Sequence, residues 1–352
     1  MNRLPTLDGW RGIAIALVLF DHLQAAVMGG YYRPWLQTGQ HGVTIFFVLS
    51  GFLITSKLLE GPINLRRFYL RRFFRLMPVA WVYLAAVALF TVFGERQPVS
   101  PSELASCVLS FRNFFGPSPT LYFAHFWSLA IEEQFYLVWP CLLLFLGTRR
   151  SRRLPITIAI AATVSVALYR TALWSSYNQQ WRSFHTEVRA DALLIGCLLA
   201  LLHAAPLWRS RLQRSSAYFC LPALVILLWS IAFWHWLPPL YECVAIALLI
   251  SATVLHPQSI AVRPLQWRSL AWLGTVSYSV YVWQQVFFVY RGAATTIPLL
   301  MLMPVFALGS YYFIERPATR LGHRLTSPKA RETSSHRNEH FNHPEAVPAT
   351  TP

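Results

Sequence analysis

Apolar residues run along this chain in long blocks, separated by short polar loops that carry most of the arginines. The blocks fall at about 10–28, 42–59, 77–94, 126–147, 154–174, 191–207, 217–236, 241–256, 270–290 and 297–314. Most approach the ~20 residues a helix needs to cross a bilayer, and 241–256 is short. The pattern predicts an all-α polytopic membrane protein with about ten transmembrane helices. No fixed-period internal repeat is visible.

The loops set an expected orientation. Arg66, Arg67, Arg71, Arg72 and Arg75 follow the second block, and Arg149, Arg150, Arg152 and Arg153 follow the fourth. Arg209, Arg211 and Arg214 follow the sixth, and Arg263 and Arg268 the eighth. The alternate loops are poorer in cations: Arg33 in one, Glu95, Arg96, Glu103 and Arg112 nearly cancelling in another, then Arg182 with Glu187 and Arg189. The positive-inside rule then places both termini in the cytoplasm. The first block is long and lacks a small-residue cleavage site, so it reads as a retained span and not a signal peptide.

Two segments break the alternation. The linker 95–125 is too long for a plain loop. Ser100-Pro101-Ser102-Glu103 reads within it as a helix start, with Ser100 as N-cap, Pro101 at N1 and Glu103 at N3. That helix is expected to run to about Phe115 as a re-entrant or interfacial element on the extracytoplasmic side. Residues 326–352 are polar and read as a disordered cytoplasmic tail beyond a transmembrane domain over 1–325. His336, His340 and His343 there read as solvated tail residues.

Composition sharpens this picture in two ways. Only 12% of residues are charged, against about 25% in soluble domains. The net charge of +16 does not point to nucleic acid, because the cations cluster in the short loops. Cys107, Cys141, Cys197, Cys220 and Cys243 show neither metal-ligand nor disulfide spacing and read as small packing residues. No metal is implied.

Ionisable residues inside apolar blocks carry the candidate chemistry, because a charge at mid-membrane costs roughly 2.5–3.5 kcal/mol. In LDGWRGIAIALVLFDHLQAAVM, Arg11 and His22 lie eleven positions apart. A helix then places them about 20° apart around its axis and roughly 16 Å apart along it. One face thus presents a cation at the membrane edge and an imidazole deep inside, which suits a long substrate with a charged head and a reactive end. His22 is a candidate general base. Asp21 diverges by about 100° and pairs elsewhere.

In FWSLAIEEQFYLVWP, Glu132 and Glu133 enter from the opposite side, so the carboxylates and His22 are expected to meet in one cavity. In FYLRRFFRLMP, Arg71, Arg72 and Arg75 are a candidate phosphate-binding group, with Arg71 and Arg75 on one helical face and Arg11 at the same membrane edge. Arg189 and Asp191 in RADALLIGCLLA serve equally well as membrane-edge anchors or site residues. Ser50-Gly51 in VLSGFL reads first as a close helix contact and second as help for an oxyanion.

In that order, LDGWRGIAIALVLFDHL, FFVLSGFLI, FYLRRFFRLMP, FWSLAIEEQFYLVWP, RADALLIGCLLALL, LGTVSYSVYVWQQ and YFIERPATRL make the chain resemble the acyltransferase-3 family of integral membrane O-acyltransferases, polysaccharide O-acetylases among them. The resemblance covers about residues 5–320. It maps the family's arginine–histidine signature onto Arg11 and His22, its arginine motif onto Arg71, Arg72, Arg75 and Pro78, and its acidic motif onto Glu132 and Glu133. Gln284 stands where many relatives carry histidine.

The resemblance implies an inner-membrane enzyme that moves an acyl group, acetyl in the first instance, from acyl-CoA to a hydroxyl of a carbohydrate or glycoside acceptor. Acyl-CoA would be a co-substrate and not a bound cofactor. His22, Glu132 and Glu133 would carry the chemistry; Arg11, Arg71, Arg72 and Arg75 would hold the donor. The chain is expected to be a member without an appended esterase-like domain. The rival class is a proton-coupled transporter or flippase of a lipid-linked or acylated sugar, which an inverted repeat would favour.

Overall fold

The computed structural model describes residues 5–27, 38–94, 99–116, 121–147, 152–174, 184–233, 239–288 and 298–327. The chain termini, Arg33, Glu95, Arg96, Arg149, Arg150, Arg182 and the histidines of the tail lie outside them.

Every apolar block forms a helix. The longer elements are α1 (Pro5–Val27), α2 (Thr38–Leu59), α3 (Leu65–Gly94), α5 (Phe126–Phe145), α6 (Arg153–Trp174), α7 (Thr186–Ala204), α8 (Pro206–Ala232), α9 (Pro239–Leu255) and α10 (Arg268–Phe288). Shorter ones are α4 (Pro101–Val108), α11 (Met303–Ser310) and α12 (Arg316–Leu325). A single π turn, Tyr311–Glu315, joins the last two. No strand occurs among the described residues.

Among the described residues, 7 helices are long and apolar enough to cross a membrane, or 8 if the bent pair Pro239–Leu255 and Ile260–Gln266 counts as one span. The protein is therefore a multi-pass membrane protein, and the sequence count of about ten exceeds what length and composition alone support. The helices that fall short are α7 and α10. The first opens with Glu187, Arg189 and Asp191, and the second carries serines, tyrosines, Gln284 and Gln285. These two helices lie at the centre, packed on α2 and α1 respectively. Polar side chains are tolerated there because the protein, not lipid, surrounds them.

The outer helices show the converse. Of the apolar window, 67% is buried in α2 but only 22% in α8. Exposed Phe93, Phe145 and Leu221 are what a lipid-facing rim requires.

Small residues let the central helices touch. A Cβ built on Gly51 would lie 2.0 Å from the Leu193 carbonyl oxygen, and one on Gly196 would lie 2.1 Å from that of Val48. Backbone approach at this distance admits only glycine, so the packing reading of Ser50-Gly51 holds.

Two boundaries differ from the sequence expectation. Helix α3 starts at Leu65, so the whole arginine block is helical and Pro78 lies inside it. Helix α4 starts as expected, with Ser100 extended before Pro101, but it ends at Val108 instead of near Phe115. Ser110 takes a positive φ of 58°, and the chain folds back through a 3₁₀ turn, Arg112–Phe114. Glu103 forms no capping box; it faces the Arg112 guanidinium at 3.6 Å.

Candidate active site

Helix α1 threads two polar layers. The layer at the C-terminal half of α1, outer by the expected orientation, is a cavity of about 330 Å³ lined by His22, Asp21, Gln40, His125, Tyr281 and Gln285, among others. Its volume is at the small end of ligand sites, about 300–1,000 Å³. The His22 ring faces protein and not lipid: it packs on Phe288 at 5.8 Å, and its Nδ1 lies 3.2 Å from Gln284 Oε1. An amide oxygen can only accept, so the contact fits the tautomer in which Nδ1 donates and Nε2 keeps its lone pair. Gln284, fully buried, is placed to hold the tautomer that a general base requires.

The fold-back after α4 forms a wall of this cavity through Arg112, Asn113, Phe115 and Gly116. Arg112 Nη1 donates to the carbonyls of Phe115 (3.2 Å) and Gly116 (2.9 Å). Gln134 Nε2 reaches from α5 to Asn113 Oδ1 (2.9 Å) and the Ser110 carbonyl (2.7 Å). The segment read from sequence as interfacial is therefore pinned over His22 by the third residue of the Glu-Glu-Gln run.

The inner layer holds the charges. Glu132 hydrogen-bonds Ser50 and Tyr136 and lies within electrostatic reach of Arg72 and Arg11. Glu133 faces Arg72, and the Arg72 guanidinium sits 3.7 Å above the Tyr136 ring. Ser50 and Tyr136 also share a hydrogen bond. Arg75 lies among Arg11, Arg72 and Glu315, and Glu315 Oε2 accepts from Ser279 at 2.6 Å. Arg11 holds Asp8 at 3.2 Å.

The structure thus brings Arg11, Arg72, Arg75, Glu132 and Glu133 together, but it separates both glutamates from His22. Neither carboxylate lines the His22 cavity. Tyr281, whose hydroxyl bonds Ser128 at 2.5 Å, lines that cavity and lies within electrostatic reach of Glu132. It stands between the layers. The sequence placed the carboxylates a couple of turns deep, and the register of α5 against α2 carries them to the level of Ser50 and Arg11. Arg71 leaves the group altogether: its Nε donates to Thr326 Oγ1 at 2.7 Å, on the side of α3 covered by α12.

Sequence reading missed His125, Gln40 and Gln285 in the cavity. His125 directly precedes the FWSLAIEE run, and its position one residue before a span was the available signal. Nothing local marks the two glutamines.

Comparisons with known proteins identify relatives of this chain. YrhL of Bacillus subtilis (strain 168), whose name marks it as a candidate peptidoglycan O-acetyltransferase, is 34% identical over 370 residues, covering 92% of this chain and 56% of that protein. The peptidoglycan O-acetyltransferase OatA of Listeria monocytogenes is 32% identical over 317 residues, covering 80% of this chain and 48% of that protein. The O-acetyltransferase OatA of Staphylococcus aureus (strain NCTC 8325) is 28% identical over 355 residues, covering 91% and 58%. The chain spans about half the length of these relatives. No solved structure matches it. The acyltransferase-3 family, described as an acyltransferase domain, matches residues 4–314, and the chain belongs to that family.

Proposed function

We propose that this protein is a membrane O-acyltransferase that moves an acyl group, acetyl first among candidates, from acyl-CoA to a hydroxyl of a cell-envelope carbohydrate. The observation that carries the reading is the His22–Gln284 contact, which leaves Nε2 basic beside a cavity large enough for a sugar hydroxyl and an acetyl group. The names of the relatives support the reaction type and a glycan acceptor.

The acceptor hydroxyl oxygen attacks the thioester carbonyl carbon while His22 Nε2 takes its proton. The carbon–sulfur bond then breaks, and the imidazolium returns the proton to the departing thiolate. Gln284 holds Nδ1–H throughout. Arg11, Arg72 and Arg75 receive the donor's phosphates on the inner side. Glu132 and Glu133 hold the arginines in place. Eleven residues of α1 span roughly 16 Å, a length an extended pantetheine arm can bridge once Tyr281 moves aside.

The test is ester-linked acetate on envelope glycans, measured by mass spectrometry in cells carrying the wild type or His22→Ala at equal expression. Loss of ester with the glycan still exported supports the enzyme. Loss of export itself replaces it with a transporter.

A further inference from the structure

The network around Arg189 has no part in the chemistry so far. Arg189 opens α7 and is buried. Within its electrostatic reach are Arg170, Asp191 and Glu242. Arg170 Nη1 binds Asp191 Oδ2 at 2.9 Å, and Glu242 Oε1 binds His41 Nδ1 at 2.9 Å. These side chains are all buried. Buried ion networks seldom add net stability over apolar packing, so this one calls for a task.

Its output is Gln40. Arg189 donates to Gln40 Oε1 and lies 5.3 Å from the centre of the Trp127 ring. Both Gln40 and Trp127 line the His22 cavity. Gln40 follows Gly39, where a Cβ would lie 2.7 Å from Asp21 Oδ2, so its backbone is packed beside the helical turn that carries His22. With its oxygen turned to a guanidinium, the Gln40 amide keeps two N–H donors to offer. The same contact polarises the amide and makes those N–H groups stronger donors.

We propose that Gln40 Nε2 stabilises the oxyanion formed during acyl transfer and that Arg189 positions and polarises it. The inference rests on the acyl-transfer reading at His22. As the acceptor oxygen bonds the carbonyl carbon, the C=O electron pair moves onto oxygen, and Gln40 donates to that oxyanion. The pair returns as the carbon–sulfur bond breaks. Gln40 touches the reacting atoms; Arg189 acts through it. A donor matched to charge present only in the transition state raises kcat and leaves ground-state binding alone.

The test uses the full chain in lipid nanodiscs, acetyl-CoA as donor, solubilised peptidoglycan fragments as acceptor, and release of the CoA thiol as readout. Gln40→Glu keeps the size and the partner, since a carboxylate still pairs with Arg189, but removes the donor. It should lower kcat about 10²–10³-fold with the KM for acetyl-CoA unchanged. Arg189→Lys should lower kcat less and also spare KM. A Gln40→Glu protein with wild-type kcat, or with a change in KM alone, overturns the inference. If His22→Ala is inactive while Gln40→Glu is active, only this inference falls. If the wild type releases no thiol, or His22→Ala keeps full turnover, the acyl-transfer reading falls with it.

Discussion

The two polar layers joined by α1 satisfy their side chains differently. In the inner layer Arg11, Arg72 and Arg75 face Glu132, Glu133 and Glu315, and Ser50, Tyr136 and Ser279 take up further valences. Arg72 Nε is an exception. In the outer layer Gln284 Nε2 and Gln285 Oε1 are buried without partners, and His22 meets a neutral amide. An unpaired buried polar group costs about 1–3 kcal/mol, so the unused oxygen of Gln285, which lines the cavity, points to a group that acts on something else. On the proposed function, the charge-dense layer would hold the structure and the donor, and the charge-poor layer would carry the proton transfer.

The sharpest way to break that division is to remove one group from each layer and read rate and stability separately. His22→Ala should lower the turnover of the purified protein about 10²–10⁴-fold with the thermal unfolding midpoint unchanged. A variant that unfolds would make His22 a structural hydrogen-bonding residue instead. Glu132→Ala should do the opposite. It removes the hydrogen bonds to Ser50 and Tyr136 and a counter-charge near Arg72, a loss of about 1–3 kcal/mol that a denaturation series in detergent would register. An intact fold with turnover as low as that of His22→Ala would move Glu132 into the chemistry and dissolve the boundary.

The same division explains what could be read from sequence. Apolar blocks and loop arginines announced the helices, because each depends on its own residues. The Arg11–His22 spacing was legible because one regular helix carries both. The partners were not: His22 meets Gln284 from the far end of the chain, and Gln40 meets Arg189 across two helices. Glu132 was expected beside His22 on depth alone. Its level is set by side-chain bonds to Ser50 and Tyr136, which no periodicity reports.

Gln284→Leu sharpens the outer layer at smaller scale. Losing the contact to Nδ1 frees the tautomer without removing the base. A hydrogen bond of about 0.5–1.5 kcal/mol then corresponds to up to about a tenfold fall in kcat, with KM unchanged in steady-state kinetics. Gln284→His, which can still bond that nitrogen, should recover part of it. Equal losses in the two variants would assign Gln284 to packing.

The smallest expected effect tests where the boundary runs. Ser50 sits midway along α2, bonded to Tyr136 and Glu132, and a hydroxyl there is also chemically able to support an oxyanion. Its neighbours are the inner carboxylate and the phenol that carries Arg72, and it does not line the His22 cavity. Ser50→Ala should therefore cost about 1 kcal/mol of stability and leave kcat within twofold. The unfolding midpoint and the steady-state rate, measured on one preparation, separate the outcomes. A fall in kcat with an unchanged midpoint would mean that the reacting carbonyl sits a layer deeper than His22 and Gln40 place it.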